Sequence, residues 1–231
     1  MDRLLVHVEG QTEETFVNQI LAPHLYKFGY SNVSARLIGN ARQRNRRGGI
    51  LPWDSFRSDI LNHIKQDPTC LMTTMVDYYG LPKTGPGSWP GRDIAGTLPF
   101  SIKAKSVETA LSNDIYEEMG NSFDPNRFIP VVMIHEFEGL LFSDCERFGR
   151  GIGQPILAPQ LQAIRDQFTT PEEINDSVET APSRRIRKLV PDYEKPLMGT
   201  LAAIEIGLDK IRAECPHLRS WLECLETRRS N

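Results

Sequence analysis

The stretch LLVHVEGQTEETF, residues 4–16, decides the fold. Leu4, Leu5, Val6 and Val8 form an apolar run, interrupted only by His7, that reads as a buried strand over residues 3–8. The run stops at Glu9-Gly10, and the apolar spacing then changes. Phe16, Val17, Ile20 and Leu21 fall on one face of a helix over residues 12–22, which Pro23 kinks or ends. An apolar strand that feeds directly into a helix is the opening of a parallel sheet covered on both faces.

The pattern repeats outward. NVSARLIG (32–39) reads as a second strand, and residues 53–66 as a helix with Trp53, Phe56, Ile60, Leu61 and Ile64 on one face. TCLMTTMVDYYG (69–80) contains a central strand ending at Asp77, residues 104–119 a helix, and residues 128–134 a further buried strand. Between them, residues 80–99 are a long loop rich in glycine and proline, and loops of that length are often functional. From about residue 156 onward only helical patterns occur, and residues 195–226 suggest two helices divided near Gly207 or Pro216. The expectation is an α/β domain over residues 1–155, a mainly parallel sheet flanked by helices, with a helical extension over residues 156–231 packed on it.

Composition bounds the function. The 231 residues are 39% hydrophobic and 25% charged, enough for a sizeable core. The net charge of −3 does not by itself imply a nucleic-acid partner. Four cysteines, none in a C-x-x-C pair, argue against a zinc site or a disulfide framework. No apolar run reaches the ~18 residues of a transmembrane helix, so no membrane partner is expected. The N-terminus has no basic start followed by an apolar stretch, which points to the cytoplasm. A P-loop, a G-x-S-x-G elbow and an H-E-x-x-H motif are all missing from the sequence.

Acids stand at three strand ends: Glu9, Asp77, and the pair Glu136 and Glu138 in IHEFEGLLF. In open parallel sheets, active groups gather beyond the carboxyl ends of the strands. Converging carboxylates repel, and a divalent cation removes that repulsion. Mg²⁺ and Mn²⁺ take oxygen ligands, and a pair of such ions activates water and stabilises a leaving oxygen in phosphodiester cleavage. Glu13 and Glu14 have a simpler reading as first-turn acids that favour the helix dipole, with Thr12 as the cap. Glu136 and Glu138 would share one face of an extended segment, at the site or on a solvated edge. His135 beside them reads as a core residue, a ligand or a proton shuttle.

At these residues the sequence resembles a TOPRIM domain, whose signature is a Glu, usually followed by Gly, after the first strand and an Asp-x-Asp after a later one. Glu9-Gly10 matches the first element and Asp77 the first Asp of the second; Tyr79 stands where the second Asp belongs. The longer string VEGQTE, HEFEGLLFSD, APSRRI and WLECL resembles bacterial TOPRIM-like proteins of about this size, formerly of unknown function and related to the nuclease domains of the overcoming-lysogenization-defect (OLD) family. Members are often encoded beside an ABC- or AAA-type ATPase and are suspected of acting in phage defence. The resemblance implies Glu9 and Asp77 as catalytic residues. It implies Mg²⁺ or Mn²⁺ held by Glu9, Glu13 and Asp77, with Glu136 or Glu138 supplying the oxygen that Tyr79 does not. The partners it implies are a nucleic acid and an ATPase subunit, and a homo-oligomer is compatible with it.

Residues 36–47, RLIGNARQRNRR, hold five arginines and no acid. Guanidinium forks match phosphate geometry, so Arg42, Arg44, Arg46 and Arg47 are candidates for holding a nucleic-acid backbone. A solvated loop or an acidic partner protein would also suit them. Trp89 is a candidate for stacking on a base. Ser183, Arg184 and Arg185 open a later helix whose first N–H groups serve either a phosphate or an ordinary cap. The leading expectation is a metal-dependent nuclease acting on DNA or RNA. Its main competitor is a catalytically inactive module that binds nucleic acid or an ATPase.

Overall fold

The computed structural model describes residues 2–38, 50–175 and 178–228. Arg42, Arg44, Arg46 and Arg47 lie outside the described residues. The sheet comprises β1 (Arg3–Val8), β2 (Asn32–Leu37), β3 (Cys70–Asp77) and two short strands, β4 (Phe128–Ile129) and β5 (Val132–Met133). Their order is β2-β1-β3-β4, with β5 also paired to β3, and every pairing is parallel. Helices α1 (Gln11–Phe16) and α2 (Ala22–Leu25) follow β1, and α3 (Trp53–Gln66) follows β2. Next come α4 (Arg92–Ala95) and α5 (Phe100–Met119) after β3. After β5 the chain is helical: α6 (Cys145–Gly151), α7 (Ala158–Arg165), α8 (Pro182–Leu189), α9 (Thr200–Ile206), α10 (Leu208–Glu214) and α11 (Pro216–Glu226).

β1 lies between β2 and β3, and helices pack on both its faces, which is why its sequence is nearly continuous in apolar residues. Leu4, Val6 and Val8 pack with Phe16, Leu21 and Leu25 on one face, while Leu5 packs on the other with Phe56, Ile60 and Leu111. The β1-to-β2 crossover runs one way along the sheet and the β2-to-β3 and β3-to-β4 crossovers the other. Right-handed connections then place α1 on one face and α3 and α5 on the opposite face, as observed.

The C-terminal helices belong to the same core. Ala202, Ile206, Leu218, Leu222 and Leu225 share the cluster of β1 and α1. Trp221 Nε1 donates to Thr73 Oγ1 on β3 at 3.0 Å, and the Tyr30 hydroxyl donates to Leu225 O at 2.9 Å. The first N–H groups of α11 are satisfied by Glu172, whose two carboxylate oxygens accept from His217 N at 2.9 Å and Leu218 N at 3.0 Å.

Several local expectations are corrected. The first helix does not stop at Pro23. It widens into a π-helical turn over Val17–Leu21, where Ala22 N–H reaches back to Val17 O, and Pro23 then sits at the start of α2, where its missing N–H costs little. The chain turns only at Gly29, with φ 94. Gly10, not Thr12, occupies the N-cap of α1, and Thr12 is buried. The expected strand over 128–134 is broken at Pro130, which has no N–H for the ladder. Thr74 fills the gap, its hydroxyl donating to Val131 O at 2.7 Å and accepting from Val131 N at 3.0 Å. Trp89 is no base-stacking platform: it is buried against Phe56 with ring centroids 4.9 Å apart, and its Nε1 donates to Leu51 O at 3.0 Å. Together with buried Arg92, whose Nε donates to Tyr78 O at 3.0 Å, it pins the glycine- and proline-rich segment to the domain. At the C-terminus the helical stretch divides at both Gly207 and Pro216.

Candidate functional site

The strand order reverses between β1 and β3: from β1 the chain moves to one side, to β2, and then returns past β1 to β3. At such a switch point the connections leave the carboxyl ends in opposite directions, opening a crevice where ligands bind in doubly wound sheets. Glu9 follows the last residue of β1, and Asp77 is the last residue of β3. The two groups are in direct contact, with Asp77 N donating to Glu9 Oε2 at 3.2 Å.

Two more carboxylates close on this point. Glu13, one turn into α1, is buried, whereas Glu14 is only half-buried. Gly10 leaves the room that Glu13 needs, because a Cβ there would lie 2.9 Å from Glu13 Oε2. Gly80 does the same for Glu9, since its Cβ would stand 3.2 Å from both Glu9 carboxylate oxygens. Glu138 enters from the 3₁₀-helix over Phe137–Ser143 and is fully buried. Asp77 anchors that segment, its Oδ1 accepting from Phe137 N at 2.9 Å.

At the centre stands a residue that the sequence did not single out. Lys195 Nζ lies 3.1 Å from Asp77 Oδ2, 3.1 Å from Glu138 Oε2 and 3.3 Å from Glu13 Oε1. It comes from the start of the π-helical turn over Lys195–Gly199, just before α9. Nothing local in PDYEKPLMG marks it, because its meaning comes from three acids far away in sequence.

One ammonium does not neutralise four carboxylates. Burial and then the neighbouring Asp77 push the Glu9 carboxyl up to about 8. Burial pushes Glu138 up to about 7 and raises Glu13 too, against the pull of Lys195. Burial alone would lower the lysine, but Asp77, Glu138 and Glu13 together hold it well above its ordinary value. Among the described residues, Glu138 Oε1 and the buried Tyr193 hydroxyl have no hydrogen-bond partner.

Glu136 takes a different place. His135 adopts a left-handed conformation, with φ 70, and the chain then enters the 3₁₀-helix, so Glu136 and Glu138 do not share a strand face. The Glu136 carboxylate instead accepts from Ser183 N at 2.9 Å and Ser183 Oγ at 3.0 Å, at the start of α8. Those groups are therefore taken by a carboxylate of the chain itself. His135 is a buried core residue, its ring stacked on Tyr79 at 5.3 Å, and burial lowers it to about 4, so it is neutral. Tyr79 is half-buried and packs its ring against that histidine.

The donor set suits a hard divalent cation, being made of carboxylate oxygens with more negative charge than Lys195 balances. Among the described residues, however, no three acid, histidine or cysteine side chains form a ready group for one ion. The point that Glu13, Asp77 and Glu138 face is held by the lysine, which has to yield for a metal to enter. Lys195 is partly exposed, at 29%, and its flexible stem permits that movement.

Among the described residues no helix is long and apolar enough to cross a membrane. A family model described as a domain of unknown function, DUF4276, matches residues 8–226, a span that includes every residue of the cluster. No curated protein and no solved structure matches the chain.

Proposed function

The chain belongs to the DUF4276 family, and we propose that it is a metal-dependent nuclease that hydrolyses phosphodiester bonds of DNA or RNA. The observation that carries this reading is the gathering of Glu9, Glu13, Asp77 and Glu138 at the switch point around a single lysine. Glu9, Glu13, Asp77 and Glu138 would hold Mg²⁺ or Mn²⁺. The ion would supply Lewis acidity for an attacking water and for the leaving oxygen. Oε2 of Glu9 is fixed by the Asp77 N–H, which leaves Oε1 to hold the ion or, where the other three acids hold it, to exchange a proton with the attacking water. Lys195, displaced from the point that the three acids face, would carry its positive charge to the reacting phosphate. The sequence resemblance adds an ABC- or AAA-type ATPase as the regulating partner and phage defence as the setting.

The test is cleavage of labelled DNA and RNA in Mg²⁺ or Mn²⁺, by the chain alone and with its neighbouring ATPase. Glu9→Gln and Asp77→Asn should each lower the rate by about 10²–10⁴. Intact cleavage in both variants would overturn the reading. Two observations favour the second reading, a catalytically silent binding module: Lys195 already sits where a metal would, and the half-buried Tyr79, where the resemblance expects an acid, stacks on His135. Titration of Mn²⁺ followed by electron paramagnetic resonance separates the two, because a silent module takes up no ion that depends on Glu9 and Asp77.

A further inference from the structure

Helix α8, PSRRIRKL, packs by Pro182 and Ile186 and carries four cations and no acid. Arg185 is committed to the fold: its Nε donates to Thr180 O at 2.7 Å, and its guanidinium lies 5.2 Å from the centre of the Phe168 ring. Arg184, Arg187 and Lys188 are exposed, and among the described residues none of them meets a carboxylate. They stand at i, i+3 and i+4, where like charges on a helix repel. Arg184 also lies in the first turn, at the positive end of the helix dipole. In a chain whose net charge is −3, this cationic face has no ion-pair partner among the described residues, and only the last-turn position of Arg187 and Lys188 offsets the repulsion.

Its position gives it a use. The Glu136 carboxylate clasps Ser183 at the head of α8, and two residues later Glu138 enters the acid cluster. Helix α8 packs against the 3₁₀-helix that carries Glu138, so its cationic face lies beside the site. Its exposed positions carry no apolar or aromatic side chain, so it offers nothing to anchor a protein partner. Flexible unpaired cations are sufficient for a phosphate backbone, which is held without regard to sequence.

We propose that Arg184, Arg187 and Lys188 form a docking face for the phosphate backbone of a nucleic acid beside the carboxylate cluster. The proposal rests on the nuclease reading for its choice of partner but requires no catalysis. The test is fluorescence anisotropy with short fluorescein-labelled single-stranded DNA, duplex DNA and single-stranded RNA, titrated with potassium chloride in EDTA. Wild-type protein should bind at least one probe. Arg184→Ala, Arg187→Ala and Lys188→Ala combined should make the log–log salt slope shallower, by about 2 on a single strand and nearly 3 on duplex. The single change Arg187→Ala should remove about a third of that, and Arg184→Lys with Arg187→Lys should keep the slope. An unchanged slope in the alanine variants, or no binding of any probe by the wild type, overturns the proposal. Because EDTA suppresses cleavage, the outcome does not depend on the nuclease reading. Binding through α8 together with undiminished cleavage in Glu9→Gln would sink catalysis at the cluster and leave the docking face standing.

Discussion

Lys195→Met keeps the length of the side chain and removes the one cation that, among the described residues, reaches three buried carboxylates, at 3.1, 3.1 and 3.3 Å. Stripping one partner from a buried ionic group costs about 3–5 kcal/mol, because the remaining charges are left without compensation. In a chain of this size that corresponds to a fall in Tm of about 10 °C. The cost depends on pH in a defined direction. A carboxyl raised above its ordinary value keeps its proton in the folded chain after the unfolded chain has released it. Its contribution to stability is complete below the unfolded value of 4.5 and is lost as pH rises through the folded value, about 8 for Glu9 and about 7 for Glu138. Without the ammonium, the folded variant retains one further proton in place of the lost charge. Its stability should therefore fall by about 1.4 kcal/mol per pH unit more steeply than that of the wild type. Urea unfolding in EDTA at about pH 5.5 and about pH 8 measures this, and the variant should approach the wild type at the lower pH. Adding Mn²⁺ at the higher pH should restore the variant more than the wild type, since a bound ion stabilises only the folded state. A destabilisation of equal size at both pH values would refute the electrostatic account and leave the lysine as packing alone.

Wild-type stability in EDTA should itself decline between about pH 5 and pH 8, and Glu9→Gln should flatten that decline, because the raised Glu9 carboxyl is one of its sources, beside Glu138 and Glu13. Gly80→Ala would place a Cβ 2.9 Å from Ile50 Cγ1 and 3.2 Å from both Glu9 oxygens; it should cost about 1–3 kcal/mol in thermal melts and impair any Glu9-dependent activity. Trp221→Phe removes the hydrogen bond from Nε1 to Thr73 and should cost about 1–3 kcal/mol in denaturant titrations, with a double-mutant cycle against Thr73→Val showing less than additive loss.

The sheet was legible because its signals are local. β1 and β3 are mostly apolar runs, and α3 carries its core residues at helical spacing. Glu9 and Asp77 stand out for the same reason, as acids at the ends of such runs, whereas Glu13 by its position alone reads as a first-turn helix acid and enters the site only through the resemblance. Glu136 and Glu138 were harder to tell apart, since their alternation suggests a shared face. A left-handed His135 and the onset of a 3₁₀-helix send one to the cluster and the other to α8. Lys195 carries no local signal, because a lysine before a proline in a half-exposed turn has many uses. Only the three-dimensional meeting of β1, β3, the 3₁₀-helix and the segment before α9 gives it one. Trp89 misled through its setting, since a loop rich in glycine and proline hides the aromatic cluster that holds it down.

The hydrogen bonds from Trp221 to Thr73 and from Tyr30 to Leu225 join residues 148 and 195 positions apart. The face of β1 that carries Leu4, Val6 and Val8 is therefore roofed partly by side chains made long after it. On a ribosome, this strand has to wait for α11 before its oily side is closed. Contacts of such long reach slow folding, and the waiting surface is the kind that sticks to other chains. Expression at low temperature or with extra chaperone should raise the yield of this protein, and a stop codon ahead of α11 should send the product to the insoluble fraction.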